Sequence, residues 1–212
     1  MAAGTKLAVS ARGRGIALDT RDMRQSHAMC GPASLRIVLD YFGTSLPEEV
    51  IARACRSSDK TGTTGTNLVR GARRLGFSAH IVDGADFRTI ERWLVRNTPV
   101  IVDWMSSIAR HPVREAMPCG HYSVACGLDR AHILLQDPAI GRRRRLSRRE
   151  FANLWFDFVG IRPRREDLII RRLIVVEAPR PTAPTSGAPA RNRPRRQRRQ
   201  RPGRTAARRR SP

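Results

Sequence analysis

The segment QSHAMCGPASLRIVLDYFG, residues 25–43, places a single cysteine, Cys30, ahead of an apolar helical pattern. Gly31 and Pro32 indicate a helix start, because proline at the first helical position loses no hydrogen bond and already has a helical φ. Gly43 predicts the end of the helix. Apolar side chains recur at helical spacing between these limits: Leu35, Val38, Leu39 and Phe42. The pattern therefore predicts Cys30 at or just before a helix N-terminus.

That position has chemical consequences for Cys30. Free backbone N–H groups and the positive end of the helix dipole both favour a thiolate, so the pKa of the thiol is expected to fall. A nucleophile gains from this position, whereas a structural thiol gains nothing. The segment by itself leaves both interpretations open, because buried thiols are common among cysteines.

Composition divides the chain into three parts. From Pro179 onward there are 12 of the 41 basic residues, none of the 18 acidic residues and no aromatic residue. Such a segment cannot bury enough apolar surface to fold, so we predict that 179–212 is a disordered tail. Residues 1–21 are weakly patterned and are interpreted as an N-terminal extension. Residues 22–178 suffice for one domain.

The formal net charge of +23 bears on partners. The arginine-rich tail 179–212 is expected to bind nucleic acid or an anionic surface weakly and without sequence preference, because it lacks aromatic residues for base stacking. A solvated tail without a ligand is the alternative. No stretch of sequence approaches the ~20 apolar residues of a membrane helix, and we expect a cytoplasmic protein.

The four cysteines match no disulfide framework or zinc ribbon by spacing: Cys30, Cys55, Cys119 and Cys126. Cys119 and Cys126 flank His121, but a metal site there lacks a fourth ligand and paired spacing. The sequence therefore predicts no metal and no cofactor.

Helices are predicted mainly in the first half of the chain. TSLPEEVIARAC starts near Pro47, TNLVRGARRLGF has Thr66 as its cap and Gly76 as its stop, and Asp86 caps a helix that reaches about Arg96. SRREF, at 147–151, has the capping-box spacing of a further short helix.

Strands are predicted mainly in the second half. The candidates are FSAHIVD, TPVIVDW (98–104), HYSVACGLD (121–129), AHILLQD (131–137) and RRLIVVE (171–177). Segments 121–129 and 131–137 are predicted to pair as an antiparallel hairpin. Helices followed by antiparallel strands indicate the α+β class, with helices packed on an antiparallel sheet.

The hairpin brings two candidate catalytic residues to one edge of the sheet. A thiolate nucleophile needs a base, and the base needs a residue that orients it. His121 begins the first strand and Asp137 ends the second, sixteen residues later. Asp137 can then accept the far ring N–H of His121, and Gln25 can donate an amide N–H to an oxyanion beside Cys30. Each residue alone fits a structural role equally well.

The order of these motifs resembles cysteine peptidase family 39, the papain-like domains of bacteriocin-processing, double-glycine leader peptidases and their free-standing relatives. The similar segments are QSHAMCGPASLRIVLDYFG, DKTGTTGTNLVRGARRLGF, TPVIVDW, GHYSVACGLDRAHILLQDPAIG and LSRREFANLWF, within about residues 22–160. The resemblance implies a papain-like fold and a peptide or protein substrate.

The same resemblance implies roles for four residues. Cys30 would be the nucleophile, His121 the general base and acid, Asp137 the orienting residue, and Gln25 an oxyanion-hole donor with the backbone N–H of Cys30. The family's glutamine usually stands six residues before the cysteine, and Gln25 stands five before it. Leader-processing members are usually fused to a transporter, so a double-glycine leader is not implied here and any separate transporter partner is unknown.

These observations favour a cysteine peptidase that forms an acyl-thioester intermediate. Two alternatives stay open at this point. One is a peptidyl or γ-glutamyl transferase of the same fold, in which an amine accepts the acyl group. The other is a catalytically silent binding module whose arginine-rich tail binds polyanions.

Overall fold

The computed structural model describes residues 7–9, 15–60, 62–106, 120–158, 160 and 164–179. Two predictions lie outside these residues: the disordered tail, apart from Pro179 itself at its start, and any role of Cys119.

Five α-helices form within the described residues, each where the sequence predicts one. They are α1 (Cys30–Tyr41), α2 (Glu48–Ala54), α3 (Gly65–Arg74), α4 (Phe87–Val95) and α5 (Arg148–Leu154). Side-chain caps start three of them. Thr64 accepts from the backbone of α3, Asp86 from that of α4, and Ser147 forms the predicted capping box with Glu150 at α5.

Ten strands make up the rest of the described regular structure, together with a 3-10 turn at Arg165–Asp167. The strands are β1 (Leu7–Val9), β2 (Gly15–Leu18), β3 (Ser78–Val82), β4 (Val100–Trp104), β5 (His121–Asp129), β6 (His132–Asp137), β7 (Arg142–Ser147), β8 (Phe156–Phe158), β9 (Leu168–Ile170) and β10 (Leu173–Glu177). Every strand pairing is antiparallel. The predicted α+β class is confirmed.

Helix boundaries differ from the prediction in three places. Pro32 is the third residue of α1 rather than the first, which the helix tolerates because N–H groups of the first turn have no helical acceptor. Pro47 precedes α2 in an extended conformation instead of opening it. The cap of α3 is Thr64 rather than Thr66, since Thr64 already meets the N–H of Asn67.

Three strands of the main sheet were missed by the sequence analysis: β1, β2 and β7. β1 and β2 lie within the segment predicted as an N-terminal extension, yet β1 pairs with β2 and β2 pairs with β5, so the sheet begins before residue 22. β7 is the arginine-rich segment RRRRLS, which has low β-propensity but pairs along its full length with β6. In each case, backbone pairing with a neighbouring strand stabilises a segment whose own sequence pattern does not predict a strand.

The sheet is organised around β5, whose two edges are both occupied. β4 pairs with the first half of β5 and β2 with its second half, while β6 pairs along the opposite edge. The strand order is β1-β2-β5-β4-β10-β3, with β6 and β7 continuing from β5. This arrangement buries β5 almost entirely, so a side chain at its first residue is held rigidly.

Helices cover both faces of this sheet. Helices α1, α2 and α3 pack on one face around Leu35, Ile101 and Val124. Helices α4 and α5 pack on the other around Trp104 and Phe151. Alternate residues of β4 serve the two cores, as expected for a strand that is buried on both sides. Among the described helices, none has the length and apolar character that spanning a membrane requires.

Candidate active site

The β5–β6 hairpin places His121 and Asp137 at the same end of the sheet. The carboxylate of Asp129 accepts the backbone N–H groups of Ala131 and His132, at 2.8 and 2.7 Å, and fixes the turn. Because β5 begins at His121 and β6 ends at Asp137, the turn determines that the two side chains meet. His121 Nε2 lies 2.8 Å from Asp137 Oδ1.

Helix α1 delivers Cys30 to this end of the sheet. Cys30 is its first residue, and the helix is anchored by apolar residues that are fully buried, such as Leu35 and Leu39. The turn before it includes Ala28 at φ +56°, a left-handed conformation that is costly for a residue with a Cβ atom. A strained turn held by a rigid helix is a common way to fix a functional side chain.

Cys30 and His121 form a hydrogen-bonded pair that shifts both pKa values. Burial would raise the pKa of the Cys30 thiol, but the hydrogen bond and charge of His121 and the backbone N–H groups of Tyr122 and Gly31 lower it overall. Burial would lower the pKa of His121, but its contacts with Asp137 and Cys30 raise it to about 9. The favoured state is therefore a thiolate beside an imidazolium.

The geometry also assigns the two ring nitrogens. Because Nε2 of His121 faces Asp137, Nδ1 is left for the sulfur of Cys30. Asp137 is fully buried, and its Oδ1 also accepts the backbone N–H of Ala139 at 3.0 Å. These contacts hold the carboxylate of Asp137 so that its Oδ1 faces the imidazole ring of His121. This order, sulfur to imidazole to carboxylate, is that of a nucleophile, a base and an orienting residue.

Arg144 and Trp104 complete the surroundings of Asp137 and His121, and the sequence analysis singled out neither of them. Arg144 Nη2 lies 2.5 Å from Asp137 Oδ2, and its guanidinium stands 5.4 Å from the centre of the Trp104 ring. Trp104 in turn packs against His121 with ring centroids 6.1 Å apart. Side-chain alternation along β7 separates Arg144 from its exposed neighbours Arg143 and Arg145, but a run of four arginines shows no such alternation in the sequence.

Gln25, the fourth predicted site residue, also lies at the cleft that contains Cys30 and His121. Its backbone N–H donates to the carbonyl of Pro138 at 3.0 Å, which ties the segment before α1 to the chain just after Asp137. The structure thus brings all four predicted residues to one place. Cys30, His121 and Asp137 are linked by direct contacts, whereas Gln25 shares the cleft.

The cleft itself has a volume of about 1120 Å³ and is open to solvent. Cys30 and His121 line it, and small residues form much of its remaining wall: Gly62, Thr63, Thr64, Gly65 and Gly120. Gly120 has a specific packing reason, because a Cβ atom there would clash with the carboxylate of Asp157.

A second titratable pair borders the cleft. Asp103 is buried beside Asp157, and burial together with the nearby Asp157 charge raises the pKa of Asp103 well above its ordinary value. Burial also raises the pKa of Asp157, so the two neighbouring carboxyl groups favour holding one proton between them. Arg172, which donates two hydrogen bonds to Asp83 at 2.7 and 2.9 Å, lies close enough to oppose this shift by its charge.

Comparison with known proteins places this site in context. A model described as the Peptidase C39 family matches residues 22–163, a span that includes Cys30, His121 and Asp137. An uncharacterized protein of Methanothermobacter marburgensis is 31% identical over 148 residues, which are 68% of this chain and 89% of the relative.

Solved structures share the fold. A double glycine motif protease from an AMS/PCAT transporter, in complex with its leader peptide, has a TM-score of 0.56 at 21% identity, covering 79% of this chain and 95% of that one. The peptidase domain of Streptococcus ComA, a bifunctional ABC transporter in a quorum sensing pathway, has a TM-score of 0.55 at 20% identity, covering 74% and 97%. A C39-like protein from Bacillus anthracis has a TM-score of 0.54 at 14% identity, covering 75% and 93%.

Proposed function

The chain belongs to the peptidase C39 family, and on that premise we propose that it is a cysteine peptidase that uses Cys30, His121 and Asp137. Family and fold support a cysteine peptidase-like function. The assignment of catalytic roles to these three residues goes beyond family and fold and is part of the proposal. The observation that supports them best is the direct contact of His121 with Cys30 on one side and with Asp137 on the other, at the wall of an open cleft.

The first half-reaction forms an acyl-enzyme. The Cys30 thiolate attacks the carbonyl carbon of the scissile amide, and the electron pair of the C=O bond moves to oxygen. The backbone N–H of Cys30 and the side-chain amide of Gln25 are the proposed donors to that oxyanion. His121 gives its Nδ1 proton to the amide nitrogen. The oxyanion then re-forms the C=O bond as the C–N bond breaks, the amine departs, and the acyl group stays on Cys30 as a thioester.

The second half-reaction returns the enzyme to its starting state. Neutral His121 accepts a proton from water through Nδ1 while the water oxygen attacks the thioester carbon. The C–S bond of the thioester breaks, and the carboxylic acid product leaves. Cys30 is then again a thiolate beside protonated His121. Asp137 accepts the Nε2–H of His121 throughout, which keeps Nδ1 pointing at the reacting atoms.

The substrate is proposed to be a peptide or protein segment bound in extended form along the cleft. We place the protein in the cytoplasm, where a free thiol nucleophile is kept reduced; Cys30, Cys55 and Cys126 are free thiols in the structure. The open width of the cleft favours a flexible chain over a folded surface.

The experiment that tests the function is mass-spectrometric profiling of a peptide library incubated with the full chain. We expect new peptide ends with the wild type and none with Cys30→Ala. Each cleavage should add one water across the two products, because water is the acyl acceptor. Products joined to an added amine instead would favour the transferase. The same cleavages in wild type and Cys30→Ala would contradict the proposed role of Cys30, and no cleavage by the wild type would contradict the proposal and favour the silent binding module.

A further inference from the structure

We propose that Arg144 is a positioning residue that keeps Asp137 ionised and aligned while His121 changes its protonation state. The inference rests on the proposed function, since it concerns how the base is maintained. It assigns a role to one arginine within a run of four, Arg142 to Arg145, whose other members are mainly exposed.

The strand geometry separates Arg144 from its neighbours. In β7 successive side chains point to opposite faces, so Arg144 and Arg142 share one face while Arg143 and Arg145 share the other. The side chain of Arg144 is 12% exposed, against 59% for Arg145. Arg145 contacts Asp129 and Arg143 contacts the segment around Asp19, both away from the cleft. Arg142 is the cross-strand neighbour of Asp137 in the β6–β7 ladder, but of the four side chains Arg144 is the one that forms an ion pair with Asp137 within the described structure.

The two oxygens of Asp137 have different partners. Oδ1 accepts from His121 Nε2 at 2.8 Å and from the Ala139 N–H at 3.0 Å, whereas Oδ2 forms an ion pair with Arg144 Nη2 at 2.5 Å. Asp137 is fully buried, and a buried carboxylate requires a compensating charge to stay ionised. His121 and Arg144 both supply one in the resting state.

The indole of Trp104 supports both cations. The Arg144 guanidinium stacks over the ring at 5.4 Å, and the His121 imidazole packs against it at 6.1 Å. Trp104 is fully buried, and its Nε1–H donates to Ser123 Oγ at 3.1 Å, so this platform cannot rotate freely. A planar guanidinium can stack and donate at once, which an ammonium cannot do.

Arg144 stabilises the Asp137 carboxylate in both protonation states of His121, and this charge matters most after the leaving amine has taken the proton of His121. His121 is then neutral, and Arg144 is the cation that remains in contact with Asp137. Without it, burial raises the pKa of Asp137 and the carboxyl takes up a proton. A protonated Asp137 donates to Nε2, which forces the remaining ring proton onto Nδ1 and removes the base that water needs. Arg144 therefore preserves the productive tautomer.

The test compares Arg144→Met, Arg144→Lys and the matched control Arg142→Met, which removes the same charge from an exposed position on the same face of β7. Alkylation of Cys30 by iodoacetamide is followed by peptide mapping from pH 4 to 9. We expect Arg144→Met to move the acid midpoint of Cys30 reactivity upward by about one pH unit, which lowers the rate roughly tenfold at pH values well below the wild-type midpoint. Arg142→Met should match the wild type.

Arg144→Lys distinguishes charge from packing. It retains the cation without the planar fork, so its midpoint should lie between those of the wild type and Arg144→Met. If Arg144→Met does not fold, as judged by circular dichroism, the proposal is tested by Arg144→Lys alone. Its acid midpoint of Cys30 reactivity should then lie above that of the wild type. Midpoints of the two Arg144 variants that coincide with that of Arg142→Met would overturn the proposal, and so would a lysine variant as impaired as the methionine one.

The alkylation readout needs no substrate, so two failures can be distinguished. If wild-type Cys30 reacts no faster at pH 6 than the buried Cys126, the proposed function fails and the role of Arg144 fails with it. If Cys30 reacts fast in the wild type and equally fast in the Arg144 variants across the pH range, only the role of Arg144 is overturned.

Discussion

Replacing Cys30 by alanine is expected to abolish peptide cleavage, with kcat/KM falling by at least about 10⁴-fold, because the acyl-thioester cannot form without the sulfur. The alanine is smaller and apolar, and the anchored helix α1 should keep its place on the sheet. The measurement is the initial rate on the best peptide from the library, at enzyme concentrations high enough to detect residual turnover.

Cys126 supplies the matched control for this variant. It is buried in β5, its thiol contacts the carbonyl of Leu134 at 3.6 Å, and burial raises its pKa. Cys126→Ala should retain kcat/KM within a few-fold of the wild type, although the small cavity costs about 1 kcal/mol or more of stability. A Cys30→Ala protein that keeps most of its activity would mean that another group performs the chemistry.

Replacing His121 by alanine is expected to lower kcat/KM by a similar factor for a different reason. The variant keeps the sulfur but loses the proton acceptor and the cation that stabilises the thiolate. Burial is the strongest influence on the pKa of Cys30, and it raises that pKa. Without His121, only the backbone N–H groups of Gly31 and Tyr122 oppose it, so the pKa of Cys30 should rise to or above its ordinary value. Alkylation of Cys30 at pH 6 should slow by about 100-fold.

His132 is the control for this second variant. It lies on the neighbouring strand β6, where its Nδ1 is 3.3 Å from Asp129 Oδ1 at the far end of the hairpin. His132→Ala should leave both the cleavage rate and the alkylation of Cys30 close to wild type. Fast alkylation of Cys30 in His121→Ala would show that the helix terminus, not the imidazole, lowers the pKa.

The positions of Cys30, His121 and Asp137 were predictable because short-range signals determine them. The helix start determines the position of Cys30. The antiparallel hairpin brings His121 and Asp137 to one edge, and this depends only on the local pairing of β5 with β6. The order of motifs then indicated the family, which the comparisons confirm. These features depend on local chain direction and strand pairing, which sequence patterns report well.

The supporting residues were not predictable in the same way. Arg144 lies in a run of arginines that looks like a solvated surface, and only the register of β7 against β6 turns it toward Asp137. Asp103 follows an apolar run in β4, and its partner Asp157 belongs to a three-residue strand more than fifty positions away. Contacts of this kind arise from packing between distant segments, for which one sequence gives no periodic signal.

The most direct test of the central claim, that Cys30 is a thiolate nucleophile paired with His121, is a comparison of thiol reactivity within the wild-type protein. Iodoacetamide labelling at pH 6 is quantified by peptide mapping for Cys30, Cys55 and Cys126. Burial raises the pKa of Cys55 to about 12 and also raises that of Cys126, so both should be almost inert. The account predicts that Cys30 is labelled at least about 100-fold faster than either of them. A Cys30 rate that instead matches the rates of the other two would contradict it.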